Sequence, residues 1–130
     1  MPPSKRLAIF LGDTKKRLRR MPEPVRKDIG VALDIAQHGQ KPNAAKPLRG
    51  FGGAGVLEIV DDYDGDTYRA VSTVQLVQAV YVLHAFQKKS KTGSKLPQRD
   101  ADLIKERLKM AEALDRSLAG QTFSKEPGHG

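Results

Sequence analysis

Cysteine does not occur among the 130 residues, which removes disulfides and thiolate metal sites and fits a reducing cytosol. No apolar run approaches the ~20 residues that a membrane-spanning helix needs. Leu7 to Leu11 is too short for a signal-peptide core and is followed by further charge. A cytoplasmic protein with no membrane partner is the expectation. No internal repeat is present. The three histidines, His38, His84 and His129, have no metal-ligand spacing. Gly50 to Gly55 lacks the Gly-Lys-Ser/Thr ending of a phosphate loop and leads into a strand, so a flexible loop is the better reading. Asp61-Asp-Tyr-Asp-Gly-Asp66, aligned on its glycine with a calcium loop, puts Val60 and Val71 where ligands belong, and is set aside.

What the chain has in excess is positive charge, +8 with a pI near 9.9. That balance points to an anionic partner, nucleic acid before acidic protein. The charge is segregated. Residues 1–50 carry 12 Lys/Arg against 4 Asp/Glu, residues 51–87 carry 1 against 5, and residues 88–130 carry 10 against 6. Two basic flanks therefore enclose an acidic centre.

The stretch from Ala79 to Lys91 organises the rest. Seven of its first eight residues are apolar, and Lys88, Lys89 and Lys91 follow with no acid in the stretch. A short apolar run rich in β-branched and aromatic residues reads as a buried strand, here Ala79 to Lys88. Such a strand delivers Phe86 and the lysines to one edge of the fold on a rigid support.

Taken in order, Lys5 to Leu11 reads as a first strand. Asp13 is placed to cap a short basic helix over Thr14 to Met21. Pro22-Glu-Pro24 opens a second helix to about His38, whose stripe is Val25, Ile29, Leu33 and Ala36. Gln40 to Gly55 reads as a loop, basic and then glycine-rich. A strand from Val56 to Asp62 and a return strand from Thr67 to about Leu76 flank Asp64-Gly65, a strong hairpin signal because both central residues need φ > 0. Gln75 to Gln78 holds no glycine, proline or asparagine, so a turn there rests on length alone. On a strict period of two, His84 shares a face with Val80, Val82 and Phe86. A buried, hydrogen-bonded structural role for His84 stands beside a catalytic one. After a polar loop over Ser90 to Pro97, a last helix runs to Leu118 on Ile104, Leu108, Ala111, Leu114 and Leu118. The expectation is one domain over residues 1–118, of α+β class: an antiparallel-rich sheet with an N-terminal α-hairpin and a C-terminal helix packed on it. Residues 119–130 read as a disordered tail.

Leu48-Arg-Gly, Gly55-Val-Leu-Glu58, Asp64-Gly-Asp-Thr-Tyr-Arg69 and Tyr81-Val-Leu-His-Ala-Phe-Gln-Lys-Lys89 follow one another in the order and spacing of a known motif train. Over roughly residues 5–115 the chain resembles the RelE/HigB-like toxins of type II toxin–antitoxin systems, and within them the phage-derived toxin branch. The resemblance implies an endoribonuclease that cuts messenger RNA on the ribosome without metal or cofactor. It also implies a cognate antitoxin, a helix-turn-helix protein, as inhibitor. Arg69 matches the strand arginine of the family; Phe86, Lys88 and Lys89 match its aromatic-plus-lysine strand end. Where the family has Glu-Leu-Arg this chain has Glu58-Ile59-Val60, and the proline that follows the lysines is displaced to Pro97.

RNA cleavage by its own 2′-OH needs a proton acceptor, a stabiliser for the pentacoordinate phosphorane and a proton donor for the departing 5′-oxygen. Arg69 suits the second task through its planar fork. Lys88 or Lys89 suits charge stabilisation or proton transfer, only one of them facing the site because strand neighbours alternate. His84 is the alternative proton carrier. Phe86 is expected to stack on a base, and Lys91, Arg49 and Lys46 to hold the flanking backbone. A gyrase-inhibiting toxin of the ParE kind, and a module that binds RNA or antitoxin without cleaving, are the rival readings.

Overall fold

The computed structural model describes residues 5–51, 55–88 and 96–124, with side chains as far as Gln121. Its elements are β1 (Leu7–Phe10), α1 (Thr14–Arg19), α2 (Glu23–Gln37), β2 (Ala45–Pro47), β3 (Val56–Tyr63), β4 (Asp66–Thr73), β5 (Ala79–Lys88) and α3 (Gln98–Ser124). The sheet runs β1-β5-β4-β3-β2, with β1 parallel to β5 and every other pair antiparallel. This is the α+β architecture expected from the sequence, with an N-terminal α-hairpin and a C-terminal helix. The Asp64-Gly65 turn has the two positive φ angles it requires, 51° and 83°.

The sheet has two apolar faces. Leu57, Ile59, Tyr68, Ala70, Val80, Val82 and Ala85 meet the α2 stripe of Val25, Ile29, Ala32 and Leu33. Each fully buried aliphatic side chain of that stripe contributes about 1.5–3 kcal/mol. Val56, Val71, Tyr81, Leu83 and Phe86 face the other way, towards Ile104 and Ala111 of α3.

A bulge in β5 corrects the expected facing of His84. Val71 pairs with His84 while Ser72 pairs with Val82, so Leu83 is the extra residue. The slip moves His84 and Phe86 onto the α3 side with Tyr81 and Leu83, away from Val80 and Val82. Nothing in a strict two-residue period announces such an insertion.

Three polar side chains fasten α3 to β5. Asp100 Oδ1 lies 2.7 Å from His84 Nε2. Arg107 donates to the carbonyl of Leu83, at the bulge, over 2.9 Å. Asp115 accepts from the backbone N–H groups of Val77 (3.3 Å) and Gln78 (2.9 Å) and from the Tyr81 hydroxyl (2.9 Å). These bonds, with Arg6 donating to the Leu76 carbonyl at 3.1 Å, hold the turn that the local sequence does not specify.

Other expectations need amendment. The loop over Gln40 to Gly55 contains β2, a three-residue edge strand that tolerates Pro47 because the edge leaves its missing N–H unneeded. The return strand ends at Thr73, and α3 continues six residues past Leu118 to Ser124, across part of the segment read as a disordered tail. Asp13 makes no capping hydrogen bond to α1. Its carboxylate instead accepts from Arg17 Nε at 2.8 Å and Arg107 Nη2 at 2.9 Å, which hold its pKa well below the usual range. Lys89, Lys91 and the loop from Ser90 to Lys95 lie outside the described residues.

Candidate functional site

α3 covers the β5 half of its sheet face and leaves the β2–β3–β4 end open, where a cleft of about 680 Å³ forms. Its floor is Arg69 of β4 and Glu58 of β3, and its rim carries Lys46 of β2, Arg49 and Lys105 of α3. Four cationic side chains line the cleft against one carboxylate, so its field suits an anion. Phe51, Leu96 and Ala101 supply apolar wall.

Strand register explains the convergence. Lys46 stands opposite Glu58, and Glu58 opposite Val71, so β2 and β3 bring a cation and a carboxylate to the face that carries Arg69. The Arg69 guanidinium donates through Nη1 to Glu58 Oε2, and both side chains are nearly buried, 10% and 4% exposed. The remaining Glu58 oxygen lies 3.9 Å from the Lys46 ammonium. Arg69 Nε is buried and makes no hydrogen bond among the described residues.

Lys88 shares this face, because Thr67, two residues before Arg69, is its cross-strand partner. Burial lowers its pKa, and the neighbouring Arg69 lowers it further; Glu58 opposes the shift and Lys46 adds to it. Lys88 thus senses the charges of the other three. Lys46 and Arg49, expected to hold an RNA backbone, stand on the cleft rim.

Lys88 shares the face of the cleft without lining it, and two further expected site residues are buried away from it. His84 is 1% exposed, bonded to Asp100 and stacked on Phe86 with ring centroids 4.9 Å apart. Its pKa is lowered by burial, against the opposing pull of Asp100. Buried on the α3 side, it holds α3 to the sheet. Phe86 is 8% exposed, so its ring serves the core and offers no open face for stacking. Glu58 and Lys105 were missed as site residues. The signal for Glu58 was a charge alternating with Val56 and Val60 on one strand face; for Lys105 there was none, because only tertiary packing brings α3 to the cleft. Among the described residues no group of three His, Asp or Glu side chains is placed to hold a metal ion. None of the helices among them is long and apolar enough to cross a membrane.

The site thus sits on a five-stranded sheet with an α-hairpin on one face and a cationic cleft on the other. Residues 16–109 match the family model described as Phage derived protein Gp49-like (DUF891), and the chain belongs to that toxin-like family. No curated protein and no solved structure matches it.

Proposed function

We propose that the protein is a RelE/HigB-type toxin of a type II toxin–antitoxin system, an endoribonuclease that cleaves messenger RNA in the cytoplasm, with the ribosome as its platform. The observation that carries this reading is the meeting of Arg69 and Lys88, from adjacent strands, on one sheet face beside Glu58 and Lys46.

In this reading a phosphodiester enters the cleft and its non-bridging oxygens are held by Arg69 and Lys46. Glu58 takes the proton of the 2′-OH as that oxygen bonds to phosphorus. Arg69 and Lys46 stabilise the dianionic phosphorane. Lys88 gives its proton to the 5′-oxygen as the P–O5′ bond breaks, leaving a 2′,3′-cyclic phosphate and a 5′-hydroxyl. A lowered lysine pKa makes that donation easier near neutral pH. Val60 stands opposite Arg69, where the resemblance calls for a second arginine. Lys46, reaching Glu58 from the neighbouring edge strand, supplies the missing cation.

Mapping transcript 5′ ends after brief induction tests the proposal. New internal ends are expected with the native chain and none with Lys88→Gln. Intact transcripts accompanied by DNA damage would favour a gyrase-inhibiting toxin; intact transcripts with RNA still bound would favour a non-cleaving module.

A further inference from the structure

With Phe86 sealed in the core, β5 offers no ring to a base, but the cleft carries one on another element. Phe51, on the loop between β2 and β3, is the aromatic side chain that lines it among the described residues. The other rings are committed or remote. Tyr68 and Tyr81 are 7% and 0% exposed, Phe10 packs with the α2-side core beneath the Lys15 ammonium, and Tyr63 stands at the Asp64-Gly65 hairpin.

Bonds at both ends of the loop fix where Phe51 sits. Leu48 is buried and donates its N–H to the Val56 carbonyl over 3.0 Å, and the Gly55 carbonyl accepts from Val74 N–H over 2.7 Å. Gly50 turns the chain just before Phe51 with a φ of 89°, a left-handed angle that glycine adopts without strain. The ring packs against the α3-side core and stays half-buried. A ring braced in this way loses little rotamer freedom when a flat ligand covers its remaining surface.

Its surroundings select the ligand. Leu96 and Ala101 add apolar wall, and Arg49, Lys46, Lys105 and Arg69 supply positive charge. A neutral apolar ligand gains nothing from the cations, and a bare phosphate gains nothing from the ring. A nucleotide uses both. The cleft, at about 680 Å³, falls among pockets that enclose whole small molecules, about 300–1,000 Å³, so it admits more than a phosphate.

We propose that Phe51 forms a nucleobase subsite, on which one unpaired base stacks while Arg69 and Lys46 hold a phosphate beside it. Stacking requires an unpaired base, so the subsite selects single strands over duplex. Every base has a π-face, so the ring by itself sets no sequence preference. This rests on the reading that the cleft holds RNA, and stands with or without cleavage.

The test is fluorescence anisotropy on the full chain with two labelled strands of equal charge, each of about eight nucleotides. One is a single-stranded RNA whose 2′-hydroxyls are methylated, so that it stays uncut; the other has the same sugars and phosphates without bases. The native chain is compared with Phe51→Leu, which keeps apolar packing but loses the π-face, and with Phe51→Trp, which keeps both. Native protein is expected to bind the base-bearing strand about five- to 100-fold more tightly than the abasic one. Phe51→Leu is expected to bring that ratio down towards one by weakening the base-bearing strand alone, and Phe51→Trp to preserve it. A ring that served packing only would leave the ratio unchanged in Phe51→Leu, which overturns the proposal. Equal binding of both strands by the native chain overturns the base subsite and leaves the phosphate contacts of the cleft standing. Binding of neither strand overturns the subsite and the RNA-holding cleft together.

Discussion

Arg69 and Glu58 carry opposite charges into a nearly dry site, and each is the other's principal compensation. Removing one partner leaves the other buried and unpaired, at a cost of about 3–5 kcal/mol, whereas replacing both with apolar residues of similar volume costs far less. Arg69→Met alone is therefore expected to shift the urea midpoint sharply downward, and Arg69→Met with Glu58→Leu to recover most of it. Loss of activity in Arg69→Ala by itself thus confounds chemistry with folding. Lys88 separates the two, being half-buried at a strand end. Lys88→Gln is expected to lower cleavage by about 10²–10⁴-fold while stability changes by less than about 1 kcal/mol. As an acid Lys88 must be protonated, so cleavage falls as pH rises through its pKa. Burial and Arg69 place that limb below the ordinary lysine value; Lys88→Arg is expected to move it up or remove it.

Elements show where local sequence stops being sufficient. β5, α2 and the Asp64-Gly65 hairpin were legible because each is specified within its own few residues: an apolar run, a 3–4 period, a turn needing two positive φ angles. β2 was not legible, because three residues ending in proline become a strand only against the edge of β3. The turn before β5 was not legible either, because its partners Asp115 and Arg6 are remote in sequence. Asp115→Ala is expected to speed hydrogen exchange at Val77 and Gln78 while leaving the hairpin amides protected. Gly12 holds α1 to α3 in a related way. Its φ of 57° is left-handed, and a Cβ there would run into Arg107 Nη2. Gly12→Ala is expected to destabilise by about 1–3 kcal/mol, read from denaturant unfolding.

Across the whole molecule, the two basic flanks of the sequence close on its acidic centre: Lys46, Arg49 and Lys105 rim the cleft whose floor is the Arg69–Glu58 pair. Composition raised the expectation of an anionic partner; it did not place the cleft, because face is decided by strand register and by the β5 bulge. That same bulge turned His84 from a candidate proton carrier into a support for α3. Binding of RNA to the cleft is expected to weaken steeply with salt, with a slope near −0.7 per phosphate contact for single strands. Stability has its own pH term. Asp61, half-buried and close to the carboxylates of Asp28 and Asp62, has its pKa raised to about 6 from 3.8. The folded chain therefore holds this proton more tightly than the unfolded chain, and stability falls as pH rises from about 4 to 6. Asp61→Asn is expected to raise the melting temperature at pH 7 and to have no such effect at pH 3.5.

The most direct test is the end chemistry of a defined RNA incubated with purified protein, native and Lys88→Gln, on programmed ribosomes. The proposed mechanism predicts fragments ending in 2′,3′-cyclic phosphate and 5′-hydroxyl with the native chain, and their near-absence with the folded variant. Equal cleavage by the two proteins, or intact RNA with both, would contradict it.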